Sequence, residues 1–273
     1  FDDKSLFQLT VQRNSKLCKS SFIVSNSEQY FLALDQLEEL NIENNKYLLE
    51  PIGRNTAPAI ALACMQLDFD EIVLVTPSDH LIKDEKEYEK VLNKAKEFAS
   101  ENKLVTFGIT PTFAETGFGY IETVNEFDVK AFHEKPNFEI ATSYLKAGNY
   151  YWNSGMFCFK AGVFLDELKI HSPNIYETSK IAFENATNTN NLIRIKHEDM
   201  ANIPEDSIDY AVMEKSNIVK VIPSNISWSD VGSFDSLYEE LPKDENNNTI
   251  NDNHIAIDSK NNLVYGVERK IAT

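Results

Sequence analysis

Two aspartates stand out by their setting. In VLVTPSDHLI, Asp79 comes just after an apolar, strand-like run. In NISWSDVGSFDSL, Asp230 holds the same position, is followed by Gly232, and precedes a helix that Ser233 can cap. Two such carboxylates from separate strands could share one Mg²⁺, a hard cation that takes oxygen ligands and keeps phosphate oxygens and water in its other positions. Aspartate turns are common in α/β proteins, so each residue read alone is equally a turn or helix cap. Ser78 and His80 flank Asp79 without sharpening the choice, since a lone histidine is more often a packing residue.

Other polar clusters invite the same double reading. VKAFHEKP puts Glu134 and Lys135 at a strand end, before a proline that stops pairing. Lys135 could bind a phosphate as a point charge while Glu134 accepts sugar hydroxyls; the plain alternative is a surface ion pair. In YYWNSGMF, Asn153 could bridge two hydroxyls and Gly155 could let a ligand approach the backbone, or Asn-Ser-Gly is merely a turn. In LLEPIGRNTAPAIALACMQ, Asn55 or Thr56 can cap a helix, with Pro58 in its first turn. Ile60, Ala61, Ala63, Cys64 and Leu67 recur there at helical spacing. Arg54 is then a cation beside the positive end of a helix dipole, the wrong sign for stability.

These residues need elements to hold them. Strand-like and helix-like runs alternate through the first hundred residues: SFIVS before SEQYFLALDQLEEL, KYLLE before the Pro58 helix, EIVLV before EKEYEKVLNKAKEFAS, then LVTFGI. The apolar faces are Tyr30, Phe31, Leu34 and Leu37 in one helix, and Tyr88, Val91, Leu92, Ala95 and Phe98 in another. That order predicts an α/β fold with a Rossmann-like, mixed but mostly parallel sheet covered on both faces, three layers in all. Such sheets bind ligands beyond the carboxyl ends of their strands, where EPIGRNT and TPSDH fall. The middle is richer in strands, and a polar stretch at 184–191 interrupts a helical region. Residues 1–241 read as one domain, 242–254 (PKDENNNTINDNH) as a linker, and 255–273 as a β-hairpin turning at Asn261–Asn262 that begins a further module.

Composition bounds the partners. The chain has 273 residues and a net charge of −17 with no basic run, which argues against a duplex nucleic-acid binder. Cys18, Cys64 and Cys158 are odd in number, far apart and in apolar contexts, so they read as reduced core residues of a cytoplasmic protein. No apolar run is long enough to span a membrane. Phe1 and Thr273 both read as cut ends of something longer.

EPIGRNTAPAI, TPSDH, GYIE, FHEKP, WNSGMF, SIDYAVMEK and SWSDVGSF follow one another in an order that resembles the mannose-1-phosphate guanylyltransferases. The likeness is to the bacterial type that in some members is followed by a phosphomannose isomerase domain, and it covers residues 1 to about 240. The resemblance implies that GTP and α-D-mannose 1-phosphate give GDP-mannose and pyrophosphate, with Mg²⁺ as cofactor. It implies Asp79 and Asp230 as metal ligands and Lys135 as a further catalytic cation. Glu50, Pro51, Arg54, Asn55 and Ser78 would lie around the nucleotide, and the anionic nucleotide would answer the sign problem at Arg54. Gly119, Tyr120, Glu134, Asn153 and Asp209 would line the mannose side. The family's glycine-rich signature and Pro-Lys pair would precede Phe1, and an isomerase domain would follow Thr273. The interval between GYIE and FHEKP is short for the family, as though a loop were missing. A homodimer is compatible with the resemblance.

Three other readings remain open. A nucleotidyltransferase for another sugar or base would share Asp79, Asp230 and the Glu-Lys-Pro turn. A glycosyltransferase would favour a tight Asp-x-Asp motif, and DFD at 68–70 looks instead like a helix-to-strand turn. A catalytically dead nucleotide sensor is disfavoured by the intact aspartate pair.

Overall fold

A computed structural model describes residues 3–42, 45–265 and 269–273. The chain starts with α1 (Leu6–Ser15), whose Ser5 and Gln8 form a reciprocal capping box. Two strand–helix units follow: β1 (Phe22–Asn26) with α2 (Tyr30–Glu39), and β2 (Lys46–Glu50) with α3 (Thr56–Cys64). Then come β3 (Ile72–Val75), β4 (Leu81–Ile82), α4 (Glu85–Ser100) and β5 (Leu104–Ile109). A hairpin of β6 (Tyr120–Thr123) and β7 (Val129–His133) leads through α5 (Phe138–Ala147) into the long β8 (Tyr150–Lys160). Next are α6 (Ala161–His171), α7 (Pro173–Glu184), β9 (Thr187–Thr189), β10 (Leu192–Arg194) and α8 (His197–Ala201). A π-helical turn at Asp209–Met213 precedes β11 (Val219–Ser224), β12 (Trp228–Ser229) and α9 (Phe234–Glu240).

The strands divide between two main sheets. One has the order β1-β2-β10-β9 and is parallel except for β9. The other has the order β11-β5-β8-β6-β7, with β3 also on β8. β5 and β11 are parallel, whereas β8 runs antiparallel to β3, β5 and β6. The expected mixed α/β class forms, with a smaller share of parallel pairing than expected. The cause is β8: an apolar run of strand length carries no mark of its direction.

Side-chain alternation along β8 shows why both faces are covered. Phe157 and Phe159 enter one core with α3, α6 and α7, while Met156 and Cys158 enter the opposite core with α4. The α4 face expected from the sequence packs as Tyr88, Val91, Leu92 and Ala95, with Phe98 half-buried at its edge. In α2 the prediction is less accurate: Leu37 is buried but Phe31 stays 66% exposed. Cys64 and Cys158 are fully buried free thiols, and burial pushes Cys158 up to about 12. The polar stretch at 184–191 holds β9, which turns back onto β10, and β10 then extends the β2 sheet. The short interval between the GYIE and FHEKP motifs is closed by the tight β6–β7 hairpin, in which Val124 N–H donates to Asp128 O at 2.9 Å.

The C-terminal stretch departs from expectation. Residues 242–254 are not an open linker: Asp244 Oδ1 accepts the Asn246 and Asn248 N–H groups, and Asn248 and Thr249 are buried. Asparagine side chains satisfy backbone groups of the following segment here, as when Asn248 Nδ2 donates to Ser259 O. The β-hairpin expected at Asn261–Asn262 is replaced by a parallel pair, His254–Ile255 with Ile271–Ala272. A parallel pair requires a crossover and cannot close through a tight turn. Residues 266–268 of that stretch lie outside the described residues.

Candidate functional site

The two aspartates are brought together by a small ribbon. β4 and β12 pair antiparallel, with Leu81 opposite Ser229 and Ile82 opposite Trp228. His80 and Asp230 are the residues next to the last pair of that ladder, at the same end of the ribbon, and Asp79 precedes His80. Asp230 therefore follows a ribbon strand and not a strand of a main sheet. Burial lowers the His80 imidazole below its usual range, and the charges of Asp79 and Asp230 pull it partly back up. Asp79 itself is open to solvent, its Oδ1 3.9 Å from His80 Nε2. Asp230 Oδ1 accepts the Gly232 N–H at 3.2 Å, and a Cβ at position 232 would stand 2.6 Å from Asp230 Oδ2. Val231 between them holds a φ of 47°, a left-handed conformation costly for a β-branched residue. Ser78 is exposed in the same bend.

The donor chemistry here suits a hard cation. Two carboxylates with no lysine or arginine paired to them among the described residues would fit a Mg²⁺ that keeps water and phosphate oxygens. Among the described residues no group of three or more His, Cys, Asp or Glu forms a full metal cage.

A second cluster adjoins the first. Asn153 does not sit in a turn; β8 runs on through it, with an irregularity in its register against β5. Gly155 takes φ 69°, and a Cβ there would lie 3.6 Å from Pro77, so this part of β8 packs beside the Asp79 bend. Asn153 Nδ2 donates to Asp209 Oδ1 at 2.8 Å, and its Oδ1 accepts the Gly155 N–H at 3.2 Å. One Nδ2 hydrogen and one Oδ1 lone pair stay available. Burial raises the Asp209 carboxyl above its ordinary value against the pull of that amide. Gly119, Tyr120, Glu134, Asn153 and Asp209 line one narrow crevice. A Cβ at Gly119 would stand 2.9 Å from Glu134 Oε2, so that flexible carboxylate would have to shift. Tyr120 lines it with a buried ring only: its hydroxyl donates to Glu115 O at 2.9 Å and is not free for a sugar. Lys135, at φ 38°, lies with its Nζ 3.7 Å from Glu134 Oε1, a loose pair open to solvent.

Glu50 ends β2, and Pro51 follows it. Glu50 Oε1 is buried and has no hydrogen-bond partner among the described residues, and burial pushes the carboxyl up to about 7. Such an acceptor costs free energy until a donor reaches it. Arg54 corrects the expectation placed on it. Its Nε and Nη2 donate to Met200 O at 3.2 Å and Ala201 O at 2.6 Å, the last carbonyls of α8. The mouth of α3 is not an open anion site either. Thr56 N–H goes to Asn55 Oδ1, Ala57 N–H goes to Asp206 O, and Pro58 has none.

The family described as nucleotidyl transferase matches residues 1–247. The chain belongs to that family. It is 44% identical over 280 residues to a mannose-1-phosphate guanylyltransferase of Salmonella muenchen, a match covering 98% of this chain and 59% of that one. The chain thus spans less than two thirds of the length of such relatives, and only 55% of a Salmonella montevideo enzyme of the same name. A structure described as mannose-6-phosphate isomerase from Helicobacter pylori superposes with TM-score 0.80 at 44% identity, over 84% of this chain and 92% of that one. Another, described as mannose-1-phosphate geranyltransferase from Thermus thermophilus, gives TM-score 0.86 at 29% identity, over 100% and 80%.

Sequence reasoning passed over one wall of this crevice. Glu214 lines it beside Asp209 and Glu134, and its carboxyl is raised by burial and then by those two charges. The Glu214 N–H donates to Asp209 O at 2.9 Å, the five-residue step of a π turn. Helical spacing of three or four would have put the two residues on different faces; only a π spacing in SIDYAVMEK reveals them together.

Proposed function

We propose that this protein transfers a guanylyl group: GTP and α-D-mannose 1-phosphate give GDP-mannose and pyrophosphate, in the cytoplasm, for polysaccharide precursors. The observation that carries the reading is the β4–β12 ribbon, which sets Asp79 and Asp230 at one end, beside the Asn153–Asp209 crevice. In this reading Asp79 and Asp230 hold Mg²⁺, which would offset phosphate charge as the sugar phosphate oxygen attacks the α-phosphorus in line. Glu50 accepts from guanine, whose N1–H and N2–H₂ donors suit a carboxylate, with Pro51 and Ser78 beside the nucleotide. Asn153 offers its remaining donor and lone pair to sugar hydroxyls, and Glu134 accepts from another. Lys135 is exposed, and its long stem can carry the ammonium to a phosphate. No covalent intermediate is required, because alignment of the two substrates can supply much of the rate.

Pyrophosphate release by the full-length protein tests this, with GTP and mannose 1-phosphate against dTTP or UTP and glucose 1-phosphate. A preference of roughly a hundredfold in kcat/KM for the guanine–mannose pair is expected, from two unpaired polar groups in the wrong complex. Equal use of dTTP, or faster turnover of glucose 1-phosphate, would move the assignment to another sugar nucleotidyltransferase.

A further inference from the structure

The turn at residues 54–57 grips a distant part of the chain. Arg54 donates to the carbonyls of Met200 and Ala201. Thr56 Oγ1 accepts the Ile208 N–H at 2.9 Å, and Ala57 N–H donates to Asp206 O at 3.1 Å. Asn55 sits between them at φ 66° and ψ −173°, a region nearly reserved for glycine, and its side chain closes the turn on Thr56 N–H. The gripped segment, 200–208, runs straight into the π turn that begins at Asp209. Asp209 then takes Asn153 Nδ2 at 2.8 Å across the crevice.

The chemistry of this grip is complete without a ligand. A guanidinium at the last carbonyls of a helix has the favourable sign that it lacked at the mouth of α3. The donors that an anion would use at α3 are already spent. What the turn leaves adjustable is the placement of residues 200–208, and through them of Asp209.

We propose that Arg54 and Thr56 are positioning residues for the sugar-phosphate half of the site, acting through residues 200–208 on the Asp209–Asn153 pair, and are not nucleotide ligands. The inference rests on the guanylyltransferase reading for the identity of the two substrates. The grip itself does not depend on that reading.

The test uses Arg54→Met and Thr56→Val in the full-length protein, with Thr56→Ser as the variant that keeps the acceptor. Amide hydrogen exchange over residues 203–213 reads the grip, and KM for each substrate reads its consequence. Faster exchange in that segment is expected for Arg54→Met and Thr56→Val. KM for mannose 1-phosphate should rise about five- to tenfold, as for a lost hydrogen bond, with KM for GTP within about twofold. Thr56→Ser should behave as wild type in both measurements. A rise in KM for GTP with the sugar value unchanged would overturn the proposal and return Arg54 to the nucleotide. Lower thermal stability with both KM values unchanged would overturn it too, leaving only a structural clamp. If the wild-type protein releases no pyrophosphate from these substrates, the reaction assignment fails instead; unchanged exchange in 203–213 would then still sink the grip.

Discussion

Trp228 Nε1 donates a hydrogen bond to His80 Nδ1 at 3.1 Å, and the two rings meet edge to face with centroids 5.2 Å apart. The contact crosses the β4–β12 ribbon one residue before Asp230's neighbour Ser229 and one residue after Asp79. It makes His80 Nδ1 an acceptor, which leaves the neutral ring's proton on Nε2, toward Asp79. The two aspartate turns are thus tied by a half-buried polar pair and not by the ribbon's short ladder alone.

Trp228→Phe tests that tie. The substitution keeps an aromatic ring against His80 and Phe118 but removes the donor, leaving a half-buried ring nitrogen unpaired. Unfolding in urea should show a loss of about 1–3 kcal/mol. A loss below about 0.5 kcal/mol would mean that Nδ1 finds another donor at no cost.

Asp230→Asn should leave the fold intact and lower turnover by about two or more orders of magnitude, through loss of one anionic ligand from the ion that offsets phosphate charge. The change conserves volume and a coordinating oxygen, so circular dichroism and the urea midpoint should stay put. Near-normal kcat at low Mg²⁺ would make Asp230 a structural residue.

Gly232→Ala probes the same carboxylate without touching its charge. The new Cβ would press within 2.6 Å of Asp230 Oδ2, so the carboxylate must turn away. The position is exposed, and stability should change by no more than about 0.5 kcal/mol. The Mg²⁺ concentration for half-maximal activity should rise about tenfold, as when a ligand's support is disturbed. An unchanged Mg²⁺ profile would show that the present rotamer of Asp230 is not the one used.

How much of this was legible in the sequence depends on the range of the signal. The α4 stripe is a local pattern, and it formed as its spacing dictates. The grouping of Asn153, Glu134 and Asp209 came from motif order, since no spacing links β8, β7 and the π turn. Three features had no local trace. The direction of β8 is set by its partners. The partner of Arg54 lies 146 residues away. The asparagine-rich stretch at 242–254 looks like a linker by composition, yet Asn248 and Thr249 are buried because the segment that satisfies them comes later in the chain. Polar residues read as exposed until a distant backbone is there to bond them.

Glu50 gives the pH prediction. Its carboxyl is raised by burial from an ordinary 4.5 to about 7, so the folded state binds the proton more tightly than the unfolded one. Between these values the folded protein therefore carries more protons, and stability must fall as pH rises. This contribution is fully present below about pH 4.5 and lost through about pH 7, with a total on the order of 3 kcal/mol. Glu50→Gln should lack that slope, so the difference in stability between wild type and variant should carry it. In the proposed reading GTP would supply what the orphaned oxygen lacks: guanine N1–H and N2–H₂ would favour the charged carboxylate and pull its pKa down. Binding near pH 6.5 should then release part of a proton from Glu50 in addition to any change on the triphosphate, which is common to both proteins. Uracil and thymine set carbonyl oxygens on either side of their one ring N–H, so they would oppose the carboxylate and release less. Titration calorimetry of GTP in two buffers of different ionisation enthalpy, wild type against Glu50→Gln, measures the difference directly. An equal proton count in the two proteins, with equal affinity for GTP, would remove Glu50 from the base site.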